Sequence, residues 1–179
     1  KDTKGFSILI AKPAELADFT DRFNLAYGRL ITQKRKEEFK QIFYYKAYDN
    51  WNAYELAKKI GVNVCVYCNR SYTFTLGTDS KKGTRFQFDH FFHQSKYPYL
   101  ALSFFNLIPS CYICNDTLKN EEEFSLDTNI HPYVEGFSND LVFTIKPKNI
   151  NFINGNHSAY RIKFKKGSHS KWNSAKLKS

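Results

Sequence analysis

"RFQFDHFF", residues 85–92, sets an acid and a histidine side by side inside a run of aromatics. In a regular strand, neighbouring side chains point to opposite faces. Asp89 and His90 would then not serve one site, and a lone carboxylate among phenylalanines is costly to bury. Either Asp89 faces solvent and His90 is a hydrogen-bonded core histidine, or the strand ends at the pair and both side chains turn toward one metal and one phosphate. The flanking sequence decides between them.

All four cysteines fall in two C-x-x-C pairs, "CVYC" (Cys65, Cys68) and "CYIC" (Cys111, Cys114). Zinc takes four ligands at tetrahedral angles, and each C-x-x-C turn supplies two thiolates from one tight knuckle, so two knuckles complete a closed structural site. Disulfides or buried thiols are the alternatives. A chain with no visible secretory leader, and no cysteine left over, favours zinc and a cytoplasmic setting. The knuckles are 42 residues apart, too far for a simple ribbon loop, so a structured insert lies between them and "RFQFDHFF" belongs to it.

Composition fits a folded chain. The 179 residues are 42% hydrophobic and 17% aromatic, and no apolar run approaches the length of a membrane span. There is no methionine, so Lys1 does not read as a natural start. Charge is uneven: residues 141–179 hold nine Lys/Arg and no acid, within a total of +10. An acid-free basic end is either a solvated tail or the footprint of a polyanion-binding surface.

Residues 1–61 read as a helical region. "PAELADFTDRF" opens on Pro13 and spaces Leu16, Phe19 and Phe23 at helical intervals; a second helix in "TQKRKEEFKQIFYYKAYDNW" places Phe39, Ile42, Phe43 and the Lys46 stem on one side. "NAYELAKKIG" is a short helix capped by Asn52 or Asn50 and stopped by Gly61. Residues 62–125 form the next unit. "SYTFTL" (71–76) alternates Tyr72, Phe74 and Leu76 like a half-buried strand, and "TRFQFD" (84–89) is its hairpin partner, ending at the Asp-His pair. A helical turn is expected after Pro98, and "CYICNDTLK" starts a helix. Residues 126–179 form a basic β segment: strands over 141–147 and 158–166, the second with Tyr160, Ile162 and Phe164 on an apolar back and Arg161, Lys163 and Lys165 on a basic front. "HPY" (His131, Pro132, Tyr133) reads as a structural turn, and His157 and His169 as exposed.

Taken together, "FDHFFHQSKYP", "NLIPSC" and "CYICN" resemble the HNH (ββα-metal) endonuclease family in its zinc-stapled form, over residues 65–119. The resemblance implies an α+β protein whose ββα core is stapled by a four-cysteine zinc site, with the helical region before it and the basic β segment after it. Asp89 and Asn115 would hold a catalytic Mg²⁺ or Mn²⁺, His90 would act as general base, and Asn106 would orient His90 or fix the loop. The substrate implied is DNA, duplex by expectation, cut to leave 5′ phosphate and 3′ hydroxyl ends. His93 departs from the family pattern, where proline is common; it is an exposed loop histidine, a phosphate contact or a further metal ligand. Arg70, Arg85, Lys96, Lys119, Lys163 and Lys165 are candidate phosphate contacts. A looser resemblance reaches HNH proteins of bacterial antiphage systems of the Septu or retron type, which implies an ATPase partner; a homo-oligomer is also open. The alternative class is a catalytically silent zinc module that binds nucleic acid through its basic face.

Overall fold

A computed structural model of the chain describes residues 3–44, 52–78, 80–81, 83–136 and 141–166. It is a mixed α+β structure: helices α1 (Thr3–Ile10), α2 (Pro13–Tyr27), α3 (Gln33–Ile42) and α4 (Ala53–Ile60), followed by two separate antiparallel pairs, β1 (Gln87–His90) with β2 (Leu107–Ser110), and β3 (Leu141–Pro147) with β4 (Tyr160–Lys166). A seven-residue π-helix, Ile113–Lys119, follows β2. No helix among the described residues is long and apolar enough to cross a membrane.

Each helix boundary has a local cause. Pro13 occupies the first turn of α2, where its missing N–H is no loss, and the Glu15 carboxylate accepts from the Lys12 N–H at 2.7 Å. The Thr32 hydroxyl accepts from the Arg35 N–H at the start of α3. α4 stops at Gly61, whose φ of +67° is the left-handed conformation that glycine adopts without strain. At the other end, Asn52 is the N-cap residue but makes no side-chain capping bond. The expected Lys46 stem and the alternative cap Asn50 lie outside the described residues.

The short β1–β2 pair is packed from both sides, although β1, "QFDH", holds a single apolar residue and the apolar side chains come from its flanks and from β2. On one side Phe86, Phe88 and Leu107 pack with Ala57 of α4. On the other, Phe91, Phe92, Leu100 and Ile108 pack with Leu16 of α2 and Tyr99. Each such buried side chain contributes about 1.5–3 kcal/mol. Tyr99 gathers the helices: its ring lies 4.5 Å from Phe23, 5.8 Å from Phe19 and 6.0 Å from Phe39. The His131 ring, fully buried, lies tilted 4.3 Å from Phe91, and the Tyr133 hydroxyl donates to the Leu107 carbonyl, so "HPY" locks the segment after the π-helix onto the core.

Several expectations are corrected. β1 does not end between Asp89 and His90; it runs through His90, with Asp89 opposite Ile108 and His90 opposite Leu107. Its partner is "LIPS", not 71–76, and the expected hairpin survives only as a bridge between Leu76 and Thr84. That bridge closes a loop held by Tyr54, whose hydroxyl accepts from the Gly83 N–H and donates to its carbonyl. Within 71–76 the faces are inverted: Tyr72, Phe74 and Leu76 are 75%, 50% and 63% exposed, while Thr73 is buried and bonded to the Val62 and Asn63 carbonyls. Ile42 is exposed too, while Phe39 of α3 and the following Phe43 pack on the core cluster that contains Tyr99. The hairpin forms as expected, but its apolar face is open at the centre: the cross-strand partners Ile145 and Ile162 are both exposed.

Asn106 ties the loop between β1 and β2. Fully buried, it accepts from the Phe92 N–H at 2.7 Å and donates to the carbonyls of Phe92 and Leu100. Asn106→Ala leaves these backbone groups buried and unmatched, which costs about 2–4 kcal/mol. Urea unfolding with zinc held in slight excess measures it; a change below about 1 kcal/mol would show that the loop does not need this amide.

Candidate functional site

The two C-x-x-C turns meet. The Sγ atoms of Cys65, Cys68, Cys111 and Cys114 all lie within 4.8 Å of one another, with Cys65 and Cys114 buried. The knuckle turns aim backbone donors at this cluster: burial raises the Cys68 thiol, but the N–H groups of Ser71 and Arg70 outweigh that and bring it down to about 6. Burial and the neighbouring Cys65 push Cys114 well up instead. Four sulfurs this close repel as thiolates, and a tetrahedral zinc with bonds near 2.3 Å fits both their spacing and their charge. Among the described residues no other group of three His, Cys, Asp or Glu side chains could hold an ion.

Beside this cluster lies an open cleft of about 520 Å³ lined by Asp89, His90, His93, Gln94, Ser95, Asn115 and Asn120, with Lys40 and Tyr44 on its other wall. Asp89, His90 and Asn115, 26 residues apart at the extremes of the sequence, are thus brought together. β1 supplies the first two. The π-helix supplies the third, with the Asn120 N–H reaching the Asn115 carbonyl five residues back; such wide turns recur at functional sites.

Asp89 is 4% exposed, with a partner on each carboxylate oxygen. The Tyr67 hydroxyl donates to Oδ2 at 2.5 Å, and the Lys119 ammonium meets Oδ1 at 2.9 Å. Lys119 also donates to the His90 carbonyl at 2.6 Å and lies 4.9 Å over the Phe124 ring. Burial, then Asp89, raise the Tyr67 phenol well above its ordinary value, so it is a proton donor here. The sequence reading missed Tyr67, although it sits inside "CVYC". It misjudged Lys119, expected at the surface against phosphate: the lysine is 2% exposed because a carboxylate thirty residues away receives it.

His90 Nε2 lies 3.0 Å from the Ala101 carbonyl. A carbonyl only accepts, so Nε2 carries the proton and the neutral ring has its lone pair on Nδ1. Burial pushes the imidazole down to about 4, against the Ala101 carbonyl and Asp89, which favour the cation. The ring is neutral at pH 7. Asn115 spends its Nδ2 on Gln87 Oε1 at 2.8 Å, so its amide oxygen is what it can offer a cation. Asn106 makes no hydrogen bond to His90; its amide serves the loop.

Of the expected phosphate contacts, only His93 lines the cleft, with Nδ1 2.8 Å from the Ser95 hydroxyl. Lys96 pairs with Glu123 instead. Arg85 faces another groove, its guanidinium bonded to the Phe86 carbonyl and lying over the Phe88 and Tyr54 rings. Arg70 and Lys163 are exposed away from the cleft lining, and the Lys165 side chain is outside the described residues. Lys40 and Tyr44 were missed. Their signal was the aromatic stripe of α3, which docks on Tyr99 and so carries the neighbouring polar positions to the cleft.

No family profile, curated protein or solved structure matches this chain.

Two outcomes follow from this geometry. Purified protein should hold about one tightly bound zinc per chain, and Cys111→Ser should be insoluble or unfolded, because structural zinc carries folding energy; a folded, metal-free protein with disulfides at the two pairs would contradict it. Separately, Lys119→Met leaves Asp89 buried without its cation and should cost about 3–5 kcal/mol. Adding Asp89→Asn should restore most of that loss in urea unfolding, and no recovery would mean the ion pair is not the reason.

Proposed function

We propose that this chain is a metal-dependent nuclease of the HNH (ββα-metal) type, hydrolysing phosphodiester bonds of DNA. The observation that carries the reading is the convergence of Asp89, His90 and Asn115 on one cleft beside the four-cysteine cluster. An antiparallel strand pair followed by a helical element that carries Cys114, in the order β1, β2, π-helix, supports the reading.

Phosphodiester hydrolysis needs an activated water, positive charge near the phosphate, and help for the departing oxygen. His90 takes the water's proton: its ring is neutral at pH 7 and its tautomer is fixed by Ala101. Lys40, also in the cleft lining and paired with Glu37 at 2.8 Å, would bring positive charge to a bound phosphate on leaving that carboxylate. Asp89 and Asn115 offer a carboxylate and an amide oxygen, the hard donors a divalent cation prefers. Such a cation, Mg²⁺ or Mn²⁺, would neutralise the phosphate and the leaving oxygen. Tyr67 and Lys119 hold the carboxylate in one orientation.

One observation favours a second reading. The cleft lining contains a single carboxylate, Asp89, already paired with Lys119. That suits a zinc-stapled module that binds nucleic acid without cutting it. A third arrangement, cleavage only when docked on an ATPase partner in an antiphage system, differs in regulation and not in chemistry.

Plasmid nicking separates these. With Mg²⁺ or Mn²⁺, alone or with a candidate ATPase, the wild type should nick. His90→Ala should keep zinc and DNA affinity and lose about two to four orders of magnitude in rate, the usual worth of a positioned base. An alanine variant that cuts normally removes His90 from the chemistry; a wild type that binds and never cuts under either condition supports the silent module.

A further inference from the structure

The inverted face of residues 71–76 has no part in the cleft. Tyr72 and Phe74 lie parallel, ring centroids 5.3 Å apart and 7° between planes, and both are at least half exposed. With Leu76 and Tyr112, 63% and 60% exposed, they line a second groove of about 380 Å³. Its remaining lining is Thr73, Thr84, Arg85, Phe86, Gln87, Ser110 and Cys111, with no acid. A chain of this size that buries Thr73 and leaves four large apolar side chains around one groove exposes an interaction site.

Three features say what covers it. First, the groove lining holds Arg85 and no acid, and exposed Arg70 and Lys81 flank the aromatic stretch in the sequence, so the groove suits an anionic chain. Second, Tyr72 and Phe74, stacked on each other, leave outward ring faces on which an unpaired base can stack; every base has a π-face, so this recognition tolerates sequence. Third, groove and cleft share a wall: Gln87 lines the groove, Asn115 lines the cleft, and the two side chains are hydrogen-bonded at 2.8 Å.

We propose that Tyr72, Phe74 and Tyr112 form a base-stacking platform for unpaired nucleotides next to the phosphate bound in the cleft. The inference deepens the reading of the cleft as a phosphodiester site and rests on it for the direction of the strand. It makes the preferred substrate one with a single-stranded stretch beside the scissile bond: a flap, a gap or a frayed end. A blunt duplex keeps its bases stacked on one another and offers none to the rings.

The test is binding, measured without added divalent cation so that it is independent of cleavage. The full chain is titrated, by fluorescence anisotropy, against three labelled probes of equal length: a single-stranded oligonucleotide, an abasic strand of the same charge, and a blunt duplex. The base-bearing strand should bind about tenfold or more tighter than the abasic one, the scale of one or two stacked bases. Y72A/F74A should abolish that ratio while zinc content and affinity for the abasic strand stay unchanged; both side chains are exposed, so the fold should not suffer. Tyr72→Trp should retain the preference, because a larger ring stacks as well. Equal wild-type affinity for base-bearing and abasic strands would overturn the proposal, as would a Y72A/F74A variant that keeps the preference. Nicking by a wild type that fails this test leaves the nuclease reading standing; a preference for bases in a wild type that never nicks leaves the platform standing.

Discussion

The Asp89 carboxylate, held between the Tyr67 hydroxyl and the Lys119 ammonium, is the contact on which the centre of this molecule depends. A buried carboxylate without partners costs several kcal/mol. Here the partners come from the two segments that carry the cysteines: Tyr67 from inside the first knuckle, Lys119 from the π-helix that begins at the second. The strand, the knuckles and the π-helix must therefore be in register together. The cysteine cluster supplies the closure that a 42-residue insertion with two four-residue strands could not supply by hydrogen bonding alone.

The same constraint explains why the cleft forms. Lys119, reaching inward to Asp89 and the His90 carbonyl, pulls the π-helix against the end of β1. Asn115, one turn earlier, is then bound to Gln87 and faces the cleft beside Asp89 and His90. Asn106 fixes the intervening loop so that the Ala101 carbonyl meets the His90 ring. Each polar residue of the motif has a buried partner. The groups these contacts bring to the cleft lining are the His90 ring, the Asn115 amide and the partnered Asp89 carboxylate.

Legibility in the sequence followed the range of the interactions. The cysteine pairs, α2, α4 and the 141–147 and 160–166 strands could be read, because spacing, Pro13, Gly61 and alternation are local signals. The burial of Lys119 could not, because its cause is a carboxylate thirty residues away. β2 was hidden in "LIPS", three apolar residues including a proline and then a serine, which no local pattern marks as a strand. Alternation over 71–76 correctly placed Tyr72, Phe74 and Leu76 on one face, but periodicity says which residues share a face and not which face is covered. Likewise the Asp-His pair meets at one cleft without the strand ending between them: its exit beyond His90, buried on both sides, brings both residues to the cleft wall.

The most direct measurement is a crystal structure of the full chain with Mn²⁺ and a phosphorothioate oligonucleotide, with anomalous data collected at the manganese and zinc edges. One zinc peak is expected within the four cysteines and one manganese peak touching the Asp89 carboxylate and the Asn115 amide oxygen, with the His90 ring beside the bound phosphate. A map with no manganese at Asp89, the carboxylate still held by Tyr67 and Lys119 alone and the oligonucleotide seated elsewhere, would contradict it.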